Sequence, residues 1–170
     1  MRVLGRLVAT LVAGFILTMI VAAIAAVSAK RRLVPLDDPE ADDVRLVAIF
    51  EPLAFRSTAA GFRGGTVDCW FGGGVIDLRD ATLDPAGATL RVRSIFGGAQ
   101  VVVPDSWRVT IAVTGPGGAG DTRSATDRPA EAPHLTLEGL VAFGGFGISS
   151  DLPEDAAKEL FGKTAWTETA

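Results

Sequence analysis

The chain of 170 residues contains one cysteine and one histidine, the two residue types best suited to a nucleophilic site. A thiol nucleophile needs a nearby base and a lowered pKa. Cys69 stands between Asp68 and Trp70, and His134 opens a strand-like run, so a Cys69–His134 pair is one interpretation. We favour an alternative interpretation, in which Cys69 is a small core thiol and His134 is a loop histidine. A single residue of each type also excludes a cysteine-rich zinc site and a multi-histidine metal centre.

Four aspartates offer a second kind of chemistry, because paired carboxylates can act as general acid and base. They are Asp68, Asp77, Asp80 and Asp84. Asp77 alternates with apolar residues, so we expect it on a solvent-exposed face, and Asp80 and Asp84 lie near a turn, where aspartate often binds local backbone. We therefore predict no catalytic, cofactor-binding or metal-binding residues, and a protein that is not an enzyme.

The charged residues also bear on partners. Arg79, Arg91 and Arg93 either bind an anionic partner or, as we favour, lie on a solvated face with ion pairs to Asp77 and Asp80. The net charge of −4 argues against nucleic acid, because phosphate binding requires a basic face.

The N-terminus has a different composition from the rest of the chain. Residues 7–29 carry no charge and are flanked by basic residues, which predicts a single transmembrane helix rather than a cleaved signal peptide. The cluster Lys30-Arg31-Arg32 favours a cytoplasmic position for the domain after it, and hence a single-pass protein of the cell membrane. The predicted divisions are an anchor over 1–32, an acidic linker over 33–43, an all-β domain over 44–150 with a mobile loop at 115–133, and a tail over 151–170 that starts a short helix near Pro153.

The β domain is predicted from alternation and from a repeated triplet. Leu90 and Val92 alternate with arginines, as expected of a strand with one buried face. Phe-Gly-Gly occurs at 71–73, 96–98 and 143–145, and Phe50 starts a degenerate first copy. A period near 25 residues predicts a short β-solenoid whose coils turn at the glycines and stack their phenylalanines inward. The alternative is a β-sandwich or barrel with the triplets in hairpin turns.

The order of motifs from Phe62 to Val109 resembles the C-terminal domain of the cell-wall-active antibiotics response family, the LiaF-like proteins. The resemblance covers about 100 of the 170 residues. Its corner residues are Phe71, Gly72, Gly73, Phe96, Gly97, Gly98, Phe143, Gly144 and Gly145. Its remaining motif residues are Ile76, Asp77, Leu78, Arg79, Pro104 and Trp107.

The resemblance implies a rack-like all-β domain that is not an enzyme and that senses or relays envelope stress to a histidine-kinase system. The expected partners are the membrane and either a membrane-associated protein or a second copy, with no cofactor. Family members carry several transmembrane helices, whereas this sequence shows one candidate span. The alternative function is an extracytoplasmic module that binds envelope glycan or lipid.

Overall fold

In the computed structural model the chain divides into two compact units, Met1–Val34 and Pro35–Ala170. The residues that the structure describes are 11–15, 17, 20, 21, 24, 35–124 and 128–152. In the first unit the described residues are helical. The strands that the structure describes lie in the second unit.

The transmembrane prediction is contradicted. No helix among the described residues is long and apolar enough to cross a bilayer, which takes about 20 apolar residues. The predicted transmembrane helix over 7–29, the single-pass topology and the location in the cell membrane that rested on it are therefore wrong. The prediction rested on a run of uncharged residues, and the absence of charge does not by itself set the length of a helix.

Parallel strands make up most of the second unit, and strands and isolated bridges account for 52% of the residues that the structure describes. Its ten strands form two five-stranded sheets. One sheet contains β1 (Asp43–Ile49), β3 (Gly64–Trp70), β5 (Ala88–Ile95), β7 (Arg108–Thr114) and β9 (His134–Ala142). The other contains β2 (Pro52–Arg56), β4 (Gly73–Asp77), β6 (Gly98–Val102), β8 (Gly118–Asp121) and β10 (Gly145–Ser149). Parallel pairing throughout both sheets excludes the hairpin turns of the β-sandwich alternative.

Each odd-numbered strand, with the even-numbered strand after it, makes one coil, and we number the coils 1 to 5 along the chain. The spatial order of the coils is 1, 2, 3, 5, 4 in both sheets. Coil 5, the last in sequence, thus lies between coils 3 and 4. The chain reaches coil 4 through residues 103–107 and returns to coil 5 through residues 122–133.

The core lies between the two sheets and an irregular third side. Leu90, Val92 and their register partners Leu137 and Val67 are buried from the first sheet. Ile76 and Val101 are buried from the second, and Phe62 fills the core from the irregular side, where it bridges to Leu83. As the alternation predicts, Arg91 and Arg93 are exposed. Burial of these apolar side chains is the main stabilising contribution.

The segment 115–133 differs from the predicted mobile loop. Residues 118–121 form β8, which pairs with β10. Two arginines fix much of the remainder: the side chain of Arg123 is 1% exposed and donates to the carbonyl oxygens of Pro104 and Trp107, and Arg128 donates to that of Asp105. The segment is poor in apolar residues, which suggested a loop, but hydrogen bonds from these two arginines to backbone carbonyl oxygens join its described part to residues 104–107. The predicted tail helix from Pro153 lies outside the described residues.

The coils approach so closely at their corners that several glycines cannot be replaced. A Cβ on Gly98 would run into the carbonyl oxygen of Gly145 in the neighbouring coil. A Cβ on Gly147, only two residues further along the same strand as Gly145, would meet nothing within 4 Å. The two glycines therefore have different roles, and the first is required for stacking.

We predict that Gly98→Ala lowers the free energy of unfolding by about 3 kcal/mol, the upper part of the usual cost of overpacking. Gly147→Ala, the matched control, should change it by less than about 0.5 kcal/mol. Chemical denaturation followed by circular dichroism measures both. Equal losses in the two variants would contradict the role assigned to the corner.

Candidate interaction surface

Four phenylalanines, one at each of four corners, form a continuous stack along the molecule. The ring centroids of Phe50 and Phe71 are 5.0 Å apart, those of Phe71 and Phe96 5.4 Å, and those of Phe96 and Phe143 4.9 Å. The planes of neighbouring rings differ by 8° to 17°. We call these four residues the phenylalanine corner.

The stack lies outside the core. Phe143 is 62% exposed, Phe50 51% and Phe96 39%. Stacking between coils agrees with the sequence-based expectation, but the expected inward direction is wrong. The reason is the backbone: all four residues have positive φ, between 51° and 56°, which turns the side chain out of the strand alternation.

A glycine follows Phe71, Phe96 and Phe143, where the close approach of neighbouring coils requires it. A Cβ on Gly72 would lie 2.5 Å from the carbonyl oxygen of Glu51, and those on Gly97 and Gly144 would likewise collide with the preceding corner in the stack. At each of these corners the glycine thus allows the close approach of the neighbouring coil, and the left-handed conformation is adopted by the phenylalanine before it. Coil 1 has no preceding coil, so Glu51 is tolerated where the other corners have glycine.

The phenylalanine corner is bordered by further apolar side chains of the first sheet. Ile49, Trp70, Ile95 and Ala142 share one register row immediately before the corner. Leu140, two residues before Ala142, is 49% exposed. Clustered exposed apolar side chains mark contact surfaces in soluble proteins, so the corner and Leu140 together form a candidate interaction surface.

The corner glycines and the other motif residues occupy distinct places. Gly73, Gly98 and Gly145 begin β4, β6 and β10 in one register row. Ile76, Leu78 and Trp107 are buried in the core. Trp107 shares the core with Val109, Ile111 and Val113 of β7, which are partly buried against it.

The prediction that Asp77 lies on a solvent-exposed face is wrong, because Asp77 is fully buried. Its carboxylate accepts from Nε and Nη2 of Arg79 at 2.9 and 2.8 Å and from the backbone N–H of the same residue at 3.1 Å. A paired carboxylate can be buried where an isolated one cannot. The pair also raises the pKa of Arg79, through its hydrogen bond to Asp77.

The same Asp-X-Arg arrangement recurs in coil 4. Asp121 accepts from Nε and Nη2 of Arg123 at 2.9 and 2.7 Å and from its backbone N–H at 3.0 Å. The remaining Nη1 donates to the carbonyl oxygens of Pro104 and Trp107, two motif residues in the connection to coil 4. This clamp was not predicted from the sequence, although the spacing Asp77-Leu78-Arg79 is repeated as Asp121-Thr122-Arg123.

The other candidate charges are also paired. Arg93 contacts the buried carboxylate of Asp68 at 2.7 and 2.8 Å. Arg91 donates to Glu138 at 2.9 Å. Arg56 donates to Asp80 at 2.7 Å, and Asp84 accepts from the backbone N–H of Ala86. All four aspartates are thus engaged by arginines or by backbone, and Asp77 and Asp80 share Arg56, whose Nε also lies 3.9 Å from Oδ2 of Asp77.

Cys69 and His134 lie at opposite ends of the first sheet. Cys69 is in register with Ser94 and, through β5, with Val141, which is seven residues along β9 from His134. At about 3.3 Å per residue this is roughly 23 Å. His134 contacts the hydroxyl of Thr110 at 2.8 Å, and burial, with a smaller effect of Asp68, raises the pKa of Cys69 to about 12. This geometry does not support a nucleophile and base.

Among the residues described, no group of three or more His, Cys, Asp or Glu side chains is placed to hold a metal ion. The described part of the chain thus offers an apolar corner surface as its most distinctive exterior feature. No protein-family model matches the sequence, and neither a curated protein nor a solved structure shows significant similarity to it.

We predict that Cys69 in the folded protein reacts with iodoacetamide at pH 8 at least about 100-fold more slowly than in the unfolded chain, because the thiolate is the reactive form. Mass spectrometry over a time course measures the rate, and the chain in guanidinium provides the reference. Labelling at comparable rates in both states would show that the thiol is accessible and ionised.

The Asp121–Arg123 pair predicts a specific pH dependence. The hydrogen bond from Arg123 holds the pKa of Asp121 below its ordinary value of about 3.9. A carboxyl with a lowered folded-state pKa stabilises the protein above its unfolded-state pKa, and this contribution disappears as the pH falls through the folded-state value.

Asp121→Asn should therefore lower the free energy of unfolding at pH 7, by about 1 kcal/mol or less because the pair is partly solvated. The difference from the unsubstituted protein should shrink as the pH falls below about 4. Denaturant titrations of both proteins, at pH 7 and at a pH below about 4, test this. A deficit that is the same at both would assign the effect to something other than the charge.

Proposed function

We propose that the β domain is a non-enzymatic scaffold or regulatory module that acts through protein contacts in bacterial cell-envelope stress sensing. The observation that carries the proposal is the phenylalanine corner, where Phe50, Phe96 and Phe143 are each more than a third exposed. The motif resemblance to LiaF-like domains supplies the setting. It makes a membrane-associated signalling protein the first partner to test.

The exposure of the rings supports a role beyond folding. The three stacks, each contributing about 0.5–1.5 kcal/mol, are comparable with the cost of roughly 1–2 kcal/mol for each of the four left-handed residues. Stacking therefore accounts for much of the stability of the corner but leaves the ring edges exposed. Contact with a partner would bury those edges.

The geometry of the rings favours an apolar protein surface over a sugar. Aromatic side chains that bind sugars present a ring face to the ligand, whereas here the rings cover one another's faces. Apart from the outer faces of the two terminal rings, Phe50 and Phe143, the stack presents ring edges. These suit the grooves between aliphatic and aromatic side chains of another protein, so the glycan-binding alternative is not favoured.

The charged residues also support a module without catalysis. Asp68, Asp77 and Asp80, which seemed the best acid–base candidates, each contact an arginine. Such pairs order the coils. The phenylalanine corner, in contrast, stacks its rings from coil to coil and still leaves three of the four more than a third exposed.

The decisive experiment compares Phe96→Asn/Phe143→Asn with the unsubstituted chain in its native cells. Asparagine tolerates positive φ better than other residues with a Cβ, so the free energy of unfolding should change by only about 1 kcal/mol. Loss of two of the four apolar anchors should weaken capture of the partner by at least about tenfold. In-cell crosslinking identifies the neighbour by mass spectrometry, and titration with that purified neighbour measures the affinity.

The matched control is Leu36→Asn, which removes an apolar side chain that is 51% exposed and lies away from the corner. It should bind the neighbour as the unsubstituted chain does. Equal binding by the phenylalanine variant would exclude the corner as the contact surface. Recovery of no protein neighbour at all would argue against the scaffold role itself.

A further inference from the structure

A second, separate surface is found where the stack of coils ends. The first end is covered by the chain itself. Leu36 and Arg45 of β1 exchange two backbone hydrogen bonds of 3.0 and 2.8 Å in an antiparallel bridge. The carbonyl oxygen of Pro39 accepts from the N–H of Thr58 at 2.8 Å. The segment that precedes β1 therefore occupies the outer edge of coil 1.

The opposite end of the stack, at coil 4, differs from the covered edge of coil 1. β7 is the last strand of the first sheet, and no strand among the described residues pairs with its second edge. The N–H of Arg108 donates inward, to Pro133 beside β9. In a parallel pair the N–H and C=O of alternate residues point to the same side. Those of Val109, Ile111 and Val113 therefore point to the outer edge.

The core is also incomplete at this end. Val109, Ile111 and Val113 face the core but are only partly buried. Their counterparts in coil 5, Leu135 and Leu137, are fully buried because coils lie on both sides of them. The outer edge of β7 thus presents backbone groups that no described residue pairs, beside accessible apolar side chains, the combination that promotes strand addition.

We propose that a second copy of this chain docks on the outer edge of β7, so that the two β7 strands pair antiparallel about Ile111. Ile111 then lies opposite Ile111 of the second copy, and Val109 lies opposite Val113. All three are the residues whose N–H and C=O point outward, so each opposed pair exchanges two hydrogen bonds. Their side chains close the two cores against each other.

The absence of acidic residues from β7 suits a second copy as the occupant. After residue 32 the chain has 11 Lys and Arg against 20 Asp and Glu, a net charge of −9, so two copies carry an overall repulsion that a contact between them must avoid. β7 has no acid, and its one charged residue is Arg108. In the proposed register Arg108 faces Thr114 of the second copy, and no like charges meet. The covered edge at coil 1 prevents open head-to-tail stacking, so the assembly closes as a two-fold dimer.

The test is sedimentation velocity of the purified full chain over a range of concentrations. The unsubstituted chain should form a reversible dimer. Thr110 and Ala112 are exposed and lie opposite each other across the proposed interface. Thr110→Lys/Ala112→Lys therefore places lysine against lysine twice and should weaken the dimer at least about tenfold, since like charges directly opposite are destabilising. Thr110→Glu/Ala112→Lys places opposite charges there and should retain it.

Ala54→Lys/Ala60→Lys is the matched control, with two exposed residues of coil 1 and the same change in net charge. It lowers the general repulsion between copies, so its dimer should be as strong as that of the unsubstituted chain or stronger. Circular dichroism verifies that each variant is folded. A chain that stays monomeric, species larger than a dimer, or equal weakening by the control would each overturn the proposal. The experiment contains no other protein, so its outcome is independent of the phenylalanine corner.

Discussion

The stack depends on the contact between the carbonyl oxygen of one corner and the bare Cα of the next. Gly72, Gly97 and Gly144 succeed one another in this way, and the N–H of Gly98 donates to the carbonyl oxygen of Gly72 at 3.2 Å. Parallel strands about 4.8 Å apart leave no room for a side chain there. The left-handed phenylalanines and their outward direction are consequences of this spacing.

The outward direction links the fold to the proposed function. A corner that cannot hold a side chain displaces the aromatic ring of the preceding residue to the exterior, where neighbouring coils repeat it. The result is a linear apolar surface whose length grows with the number of coils. The strain of Phe96 or Phe143 is therefore a by-product of close stacking, and the exposed surface it creates is what a partner can recognise.

Part of this could be predicted from the sequence, because it is encoded by local pattern. The Phe-Gly-Gly triplets marked the corners, and the alternation around Leu90 and Val92 marked a buried face. The outward direction of the phenylalanine side chains could not be predicted, because it depends on the backbone angle φ, which the triplet alone does not determine. Asp77 was misplaced because alternation treats each residue singly, whereas Arg79, two residues away, neutralises the carboxylate and allows its burial. The predicted membrane span failed for a similar reason, since composition was taken as a measure of helix length.

The order of the coils has a consequence for biosynthesis. Coils 1, 2 and 3 can assemble in the order in which the ribosome releases them, each on its predecessor. Coil 4 cannot, because its sheet neighbours β9 and β10 belong to coil 5, which follows it in sequence. β7 and β8 can pair with their neighbours only after residues 134–149 have been made and lie beside coil 3. A chain truncated before β9 would therefore leave coil 4 without the strands that it pairs with.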